Sequence, residues 1–255
     1  MPGEVTFSIS GLFGFLLALA RVSGVIAFVP FPGFHNGPDI ARVVISVTLT
    51  FCLMAKWPSV AAPGFGQVLL YVLGEAAFGL TIGLFISFLL EAFQMAAQAL
   101  SLQAGYSYAS TIDPTTQADS GVIAVVFQLL AGVCFFLTGT DREVLRSLSA
   151  SFDRFPPGSF ALTASVSDAI VAAGSTMFST GLRIAFPVIA FLLLVDFALA
   201  LLGRMQSQLQ LLSLAFPAKM LAALMLLASL AALFPTLFQY AAKHTMQSLG
   251  RVLGA

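Results

Sequence analysis

Long apolar runs separated by short polar breaks form the main pattern along this chain. Runs close to 20 residues are typical of helices that span or lie within a membrane. We therefore predict an all-α membrane protein of about six long hydrophobic helices, arranged in hairpins as a single membrane-embedded domain over residues 1–255. The predicted helices cover residues 9–29, 40–55, 67–104, 121–140, 166–203 and 209–242.

The run over residues 67–104 is too long for one perpendicular crossing of a membrane. It contains no proline, and as a continuous helix it would measure about 57 Å, against about 30 Å for the hydrocarbon core of a bilayer. Such a helix is either strongly tilted or projects beyond the bilayer. The second half of the run is less apolar than the first, which favours projection.

Two interruptions are predicted in the second half of the chain. Residues 141–158 carry Arg142, Arg146 and Arg154 and end in Pro-Pro-Gly, so we expect a basic loop there. Pro217 lies inside the last apolar run. Because proline cannot donate a backbone hydrogen bond, we expect a break in the helix near this residue.

Composition supports the membrane assignment and argues against several classes of function. Hydrophobic residues make up 59% of the chain and charged residues only 9%, whereas a soluble domain carries about 25% charged residues. The net charge of zero gives no indication of a nucleic-acid partner. The chain has only two histidines, and its two cysteines lie in apolar runs. We therefore expect no metal site, no cofactor and no enzymatic activity.

Five charged residues lie inside the apolar runs, where a charge is costly and indicates a function by default. They could form a proton or ion pathway, or they could pair across helix interfaces and at subunit contacts of a larger assembly. Glu75 and Glu91 lie on one predicted helix and point about 160° apart, and Arg183 and Asp196 lie on another and point about 140° apart. These directions argue against a compact relay. We therefore predict intramembrane charges at subunit contacts. The five residues are Arg21, Glu75, Glu91, Arg183 and Asp196.

Gly79 and Gly83 form a small-xxx-small pattern in the third apolar run. Glycines four residues apart lie on one face of a helix and let a second backbone approach closely, which is how membrane helices gain packing energy. The pattern predicts a tight helix–helix contact at these two residues.

A polar island interrupts the apolar pattern at residues 105–121, "GYSYASTIDPTTQADSG". It contains six serine and threonine hydroxyls, two tyrosines and two carboxylates, and it has no lysine or arginine. An ordinary surface loop would have a similar composition. The island nevertheless follows a helix that is too long for the bilayer, and non-helical backbone at membrane depth is tolerated where it lines a watery cavity. A pore-lining or pore-blocking segment is therefore equally consistent with the residues.

Several stretches together resemble the FliR family of flagellar and related type III secretion export gates. They are "LQAGYSYASTIDP" at residues 102–114, "FFLTG" at 135–139 and "LSASFDRFPPGS" at 148–159, together with Arg21 and Pro30 as an early "R…P" element and "RMQSQLQLLSLAFPAK" at 204–219. They follow the family's order over essentially the whole chain.

This resemblance implies a core subunit of the type III protein-export gate in the bacterial inner membrane, at the flagellar basal body. In that family one copy joins FliP and FliQ in a helical assembly, FlhB packs outside it and FlhA belongs to the surrounding machinery. Unfolded export substrates pass through the central channel. The resemblance implies a pore plug at residues 106–120, and the family motif contributes Gly105, Tyr106, Ser107, Tyr108, Ser110, Thr111, Ile112, Asp113 and Pro114.

The sequence departs from the family pattern at three places. Ser207 stands where the family has a proline, Ala215 replaces a glycine, and Gly139 is followed by Thr140 rather than by histidine. These departures leave open whether the chain serves a flagellum or the related virulence secretion system. An ion-coupled secondary transporter that uses Glu75, Glu91 and Asp196 is the alternative from a different functional class.

Overall fold

The computed structural model describes most of the chain, and within the described ranges the regular structure is helical, with no strand. This confirms the all-α membrane class. The described residues are 9–29, 39–58, 65–106, 122–160, 163–205 and 211–253.

Eight α-helices lie within the described residues. Two short 3-10 turns accompany them, Met54–Lys56 after the second helix and Ala231–Leu233 before the last. The helices are α1 Ile9–Phe28, α2 Asp39–Cys52, α3 Phe65–Ala104, α4 Val122–Leu137, α5 Thr140–Arg154, α6 Ala164–Met205, α7 Leu211–Leu230 and α8 Phe234–Val252.

The long third helix is present and continuous. It has 40 residues, which corresponds to about 60 Å along its axis. Gly105 follows it with a φ of +86°, a left-handed conformation that glycine adopts without steric cost. The Tyr106 N–H donates to the carbonyl of Ser101 at 3.0 Å, and the Gly105 N–H donates to Leu102 at 3.2 Å. These two bonds form a Schellman motif, which ends the helix and turns the chain at the start of the polar island.

Fewer helices are long enough to cross a membrane than the apolar runs suggested. Among the described residues four qualify by length and composition, or up to five if α4 and α5 form one broken span. Within the described ranges the count is thus four or five, against the expected number of about six long apolar helices. The second apolar run forms only the 14-residue helix α2, whose length of about 21 Å is shorter than the hydrocarbon core.

The basic loop expected at residues 141–158 is instead mostly the amphipathic helix α5. Its first turn contains Asp141 and Glu143 and its last turn contains Arg154, a distribution of charge that stabilises a helix dipole. Val144 and Leu148 are buried, with Ser151 one turn further on the same face. The spacing of four and three residues is the helical signal that the arginines obscured.

The break expected near Pro217 is also wrong, because α7 runs without interruption from Leu211 to Leu230 with Pro217 inside it. Proline removes a single intrahelical hydrogen bond, and apolar helices in membrane proteins tolerate that loss. The interruption of the last apolar run lies later, at the 3-10 turn Ala231–Leu233.

The chain divides into two compact units. The first contains Met1–Phe88, Gly139–Ala173 and Lys243–Ala255, and the second contains Leu89–Thr138 and Gly174–Ala242. In the first unit, α1, the first part of α3 and α5 enclose the buried residues Arg21, Phe78, Ile82, Phe85 and Leu148. The core of the second unit is aromatic. The ring of Phe93 lies 5.0 Å from that of Phe234 and 5.3 Å from that of Phe238, and Phe127 also packs on Phe234.

Candidate functional site

The end of α3 is attached to two other helices of the second unit. Gln103 Nε2 donates a hydrogen bond to Asp196 Oδ2 of α6 at 3.1 Å. Lys219 Nζ of α7 donates to the same oxygen at 2.8 Å. The last turn of α3 is therefore fixed by one carboxylate that serves both an amide and an ammonium group. We call these three residues the α3-end cluster.

The α3-end cluster neutralises a charge that lies within a strongly apolar helix. The side chain of Lys219 is 16% exposed and that of Asp196 is 40% exposed. At this partial burial an unpaired ammonium or carboxylate group would be costly, and pairing offsets the cost. The sequence indicated Asp196 as an intramembrane charge but gave no role to Gln103 or Lys219. Lys219 was recognisable as the one basic residue inside residues 209–242.

Tyr106 adds a second attachment at the same place. Its phenol donates a hydrogen bond to the backbone carbonyl of Met220 at 3.2 Å. Burial raises the pKa of the Tyr106 phenol, so the hydroxyl keeps the proton that it donates. Together with Gly105 and its left-handed turn, this bond sets the position at which the chain leaves α3.

The remaining residues of the expected plug lie outside the described part of the chain. They are Ser107, Tyr108, Ser110, Thr111, Ile112, Asp113 and Pro114.

A second polar cluster is buried in the first unit around Arg21. Arg21 Nε donates to Glu75 Oε2 at 2.5 Å, and the two side chains are 1% and 2% exposed. The guanidinium also donates to Ser151 Oγ at 3.1 Å and to the carbonyl of Phe155 at 3.0 Å. One arginine of α1 thus holds α3, α5 and the turn that follows α5. We call this group the Arg21 cluster.

Aromatic rings enclose the guanidinium of Arg21. Its central carbon lies 4.7 Å from the centroid of the Phe78 ring and 4.4 Å from that of Phe152. Both distances are within the range of cation–π attraction. On the other side of the ion pair, Glu75 Oε1 accepts a hydrogen bond from the Gly158 N–H at 3.4 Å. The buried charges are therefore enclosed by hydrogen bonds and rings, as a buried ion pair requires.

The Arg21 cluster revises part of the hypothesis on intramembrane charges. Arg21 and Glu75 pair with each other inside one chain, so an intrachain ion pair replaces the subunit contact expected for these two residues. The sequence did not assign partners to either, and it missed Ser151 and Phe155, although both lie in the stretch "LSASFDRFPPGS". No local pattern links them to Arg21, because 130 and 134 positions separate them from it along the chain.

Gly79 and Gly83 lie where α1 meets α3. A Cβ atom on Gly79 would collide with the carbonyl of Arg21 and lie 3.1 Å from the Cα of Gly24. A Cβ on Gly83 would lie 3.0 Å from the Gly24 carbonyl oxygen. The backbones of the two helices are in direct contact here, which leaves room only for hydrogen atoms.

The other charges inside apolar runs are differently placed. Glu91 of α3 and Arg183 of α6 are exposed, and neither forms an ion pair with another described residue. Glu75 and Asp196, by contrast, each have a basic partner. Two of the three carboxylates that a proton pathway would use are thus paired with cations, an arrangement suited to stabilising contacts between helices.

We predict that Asp196→Asn destabilises the fold. The substitution leaves the ammonium group of Lys219 without its counter-ion in an apolar surrounding, which should lower the free energy of unfolding by about 1–3 kcal/mol. Thermal unfolding of the full-length chain in mild detergent measures the change. Asp168→Asn is the matched control, because Asp168 is exposed on the same helix and should change the stability by less than about 0.5 kcal/mol. Equal losses for both variants would show that the α3-end cluster contributes nothing.

Long apolar helices, a buried ion pair between two of them and glycine-mediated backbone contacts define an α-helical integral membrane protein. Comparison with known proteins identifies its family. The sequence model of the family described as bacterial export proteins, family 1, matches residues 12–245. The chain belongs to this family.

Individual relatives are flagellar and secretion proteins. The chain is 28% identical over 213 residues to the flagellar biosynthetic protein FliR of Escherichia coli K12, covering 83% of this chain and 82% of the relative. It is 29% identical over 226 residues to FliR of Bacillus subtilis, and this match covers 83% of this chain and 84% of the relative. The secretion system apparatus protein SsaT of Salmonella typhimurium is 28% identical over 157 residues, with 61% coverage of each chain.

Proposed function

We propose that this protein is a core subunit of a type III flagellar protein-export gate. It forms, with FliP and FliQ, an inner-membrane channel for unfolded flagellar proteins, and residues 106–120 close this channel as a plug. The match covers 82% of the Escherichia coli FliR chain and 84% of the Bacillus subtilis FliR chain, but only 61% of SsaT. The broader coverage favours a flagellar over a virulence system.

The observation that carries the proposal is the attachment of the α3 end directly before the polar island. Gln103 and Tyr106 are held by α6 and α7 through Asp196 and Met220. The last residues before the island are therefore held in place. A segment that closes a channel needs such a rigid base, since a plug on a mobile stem would not occupy the pore reproducibly.

The composition of the island suits contact with a moving polypeptide. Hydroxyl groups can donate and accept hydrogen bonds, so they can replace water around many different unfolded chains. The absence of lysine and arginine from residues 105–121 avoids strong attraction to acidic segments of a substrate. The proposed plug can therefore be displaced without sequence-specific binding.

The surface of the chain leaves room for partner subunits. Large apolar side chains such as Val171, Phe178, Phe186 and Phe197 are exposed along α6, and lipid or neighbouring helices can cover them. We propose FliP and FliQ as the neighbours within the gate, with FlhB and FlhA in the surrounding apparatus. Glu91, which is exposed, remains a candidate for a charged contact between subunits.

Deletion of residues 106–120 tests the plug directly. We expect the deleted gate to assemble with its partners and to leak small solutes, because the fixed base at Gln103 is retained while the closing segment is lost. Solute influx into cells or vesicles containing the assembled gate measures the leak. The undeleted gate is the reference, and a deleted gate that stays equally tight would contradict the plug assignment.

Cross-linking to a stalled substrate tests whether the island lines the passage. The native Cys52 and Cys134 are first replaced by serine and alanine, and a single cysteine is then introduced at Tyr108 or Ser110. We expect both cysteines to cross-link to a stalled export substrate. A cysteine at the exposed Ser167 of α6 serves as the control and should not react. If neither island cysteine cross-links to the substrate, this segment lies away from the substrate.

A further inference from the structure

An apolar cavity lies among the helices of the second unit. Its volume is about 590 Å³, and α4, α6, α7 and α8 contribute most of its wall. Leu224 and Leu237 line it and are also partly exposed, so the cavity opens at the surface. Of the side chains that line it, only Thr180, Arg183 and Tyr240 carry polar groups. A volume of this size is in the range of cavities that bind a small ligand.

Arg183 gives the cavity a single positive charge. Among the described residues no carboxylate pairs with its guanidinium, whereas Asp196 and Lys219 of the same unit are paired with each other. A guanidinium group presents a rigid fork of N–H donors that fits a phosphate or a carboxylate. The cavity thus combines an apolar interior with one cationic group that suits an anion.

The position of Arg183 along α6 places it at the level of lipid headgroups. Residues 184–203 form a run of 20 residues whose one charge is Asp196, and Arg183 and Arg204 border the run. As a helix the run is about 30 Å long, which equals the thickness of the hydrocarbon core. Basic residues at the two ends of such a run are typical of the membrane–water boundary.

Pro187 removes the usual helical hydrogen-bond donor of the Arg183 carbonyl. Both residues line the cavity, and Pro187 lies four positions after Arg183 within α6. Proline has no backbone N–H, so position 187 cannot donate the usual helical hydrogen bond to the Arg183 carbonyl. The same residue therefore offers a cationic donor and a free backbone acceptor at the edge of the cavity.

We propose that this cavity binds an anionic membrane phospholipid with a hydroxylated headgroup, such as phosphatidylglycerol. The phosphate accepts hydrogen bonds from the Arg183 guanidinium, a headgroup hydroxyl donates to the Arg183 carbonyl, and one acyl chain fills the apolar interior. A bilayer lipid meets all three requirements with one molecule. The binding depends on the membrane and not on the channel.

Size and chemistry favour a lipid over a helix from a partner protein. A helix with side chains is at least about 10 Å wide, so 590 Å³ would hold only about one and a half turns of it. An acidic side chain from such a helix would accept hydrogen bonds but could not donate one when ionised. The free carbonyl of Arg183 would then stay unsatisfied, whereas a glycerol headgroup can supply the donor.

The test uses the full-length chain, with its co-purifying subunits, extracted in mild detergent and stripped of lipid by washing. Palmitoyl-oleoyl-phosphatidylglycerol in mixed micelles is then titrated, and bound lipid is counted by native mass spectrometry. Palmitoyl-oleoyl-phosphatidylcholine has the same acyl chains and serves as the headgroup control. We expect at least roughly tenfold tighter binding of phosphatidylglycerol, and Arg183→Gln should remove this preference, as loss of a charged hydrogen bond predicts.

Two further variants separate the cavity from the bulk surface. Leu227→Trp fills the cavity and should reduce binding of both lipids. Leu194→Trp adds the same ring to an exposed position of α6 that is not part of the cavity wall, and should change nothing. If Leu227→Trp does not fold, Arg183→Gln still decides the outcome. Equal binding of the two headgroups, or unchanged preference in Arg183→Gln, would overturn the proposal. So would a photo-reactive residue at Leu227 that couples to another protein chain instead of to lipid.

Discussion

Arg21→Met should lower the free energy of unfolding by about 3–5 kcal/mol, the range for breaking a buried ion pair by removing one partner. The substitution leaves Glu75 charged and buried with only the Gly158 N–H as a remaining described donor. Ser151 Oγ and the Phe155 carbonyl lose their donor at the same time. Thermal or denaturant unfolding of the full-length chain in mild detergent measures the loss.

The double variant Arg21→Met, Glu75→Leu shows whether the isolated charge causes this loss. Removing both charges eliminates the buried, unpaired carboxylate, and we expect most of the lost stability to return, because an apolar pair of similar volume is often as stable as a buried ion pair. Lys56→Met is the matched control. Lys56 pairs with Asp153 in the same unit, but its side chain is 41% exposed and that of Asp153 is 58% exposed.

An exposed ion pair contributes about 0–1 kcal/mol, so Lys56→Met should have little effect. If Arg21→Met and Lys56→Met lower the stability equally, burial does not determine the contribution of the Arg21 cluster. If the double variant is no more stable than Arg21→Met alone, lost packing of the arginine, and not the isolated charge of Glu75, explains the effect.

Gly79→Val should lower the stability by about 3 kcal/mol or more, combining the cost of an overfilled contact with partial loss of the Arg21 cluster. The new Cβ would collide with the carbonyl of Arg21, and this atom belongs to the backbone of α1. A backbone atom cannot rotate away as a side chain can, so α1 and α3 must separate. Because Glu75 lies one turn before Gly79 on α3, the separation would also stretch its ion pair with Arg21.

Gly66→Val is the control for the change of residue type within the same helix. A Cβ at Gly66 would have no neighbouring atom within 4 Å, so this variant should change the stability by no more than about 0.5 kcal/mol. The free energies for Gly79→Val and Arg21→Met should not add in the double variant, because both changes act on one contact. Additive losses, or a Gly79→Val variant as stable as Gly66→Val, would show that α1 and α3 are not tightly packed at this point.

The sequence predicted the helices well where apolar residues dominated a long run. The residues of α3 and α6 are so uniformly apolar that their bounds, Phe65–Ala104 and Ala164–Met205, differ from the expected ones by only a few residues. Errors arose where two signals competed. The three arginines near residue 150 indicated a loop, but the buried face of Val144 and Leu148 produced the helix α5 instead. Pro217 suggested a break, yet one missing hydrogen bond did not end α7.

For the candidate site too, the sequence predicted some features and missed others. The motifs at residues 102–114 and 204–219 drew attention to Gln103, Tyr106 and Lys219 without linking them, and Asp196 was noted as an intramembrane charge without a named partner. The structure joins the motifs at one carboxylate oxygen of Asp196. The early arginine and the stretch at residues 148–159 are joined in the same way at the Arg21 cluster.

What the sequence alone determined is local. Chain segments without charge must satisfy their own backbone hydrogen bonds in an apolar medium, so they become helices, and the charges left inside them must find partners. Which partners they find was decided only by the tertiary structure, because Arg21 and Glu75 are 54 positions apart and Gln103 and Asp196 are 93 apart. Pairing over such distances depends on which helix faces pack together, and that is set by all the helices at once.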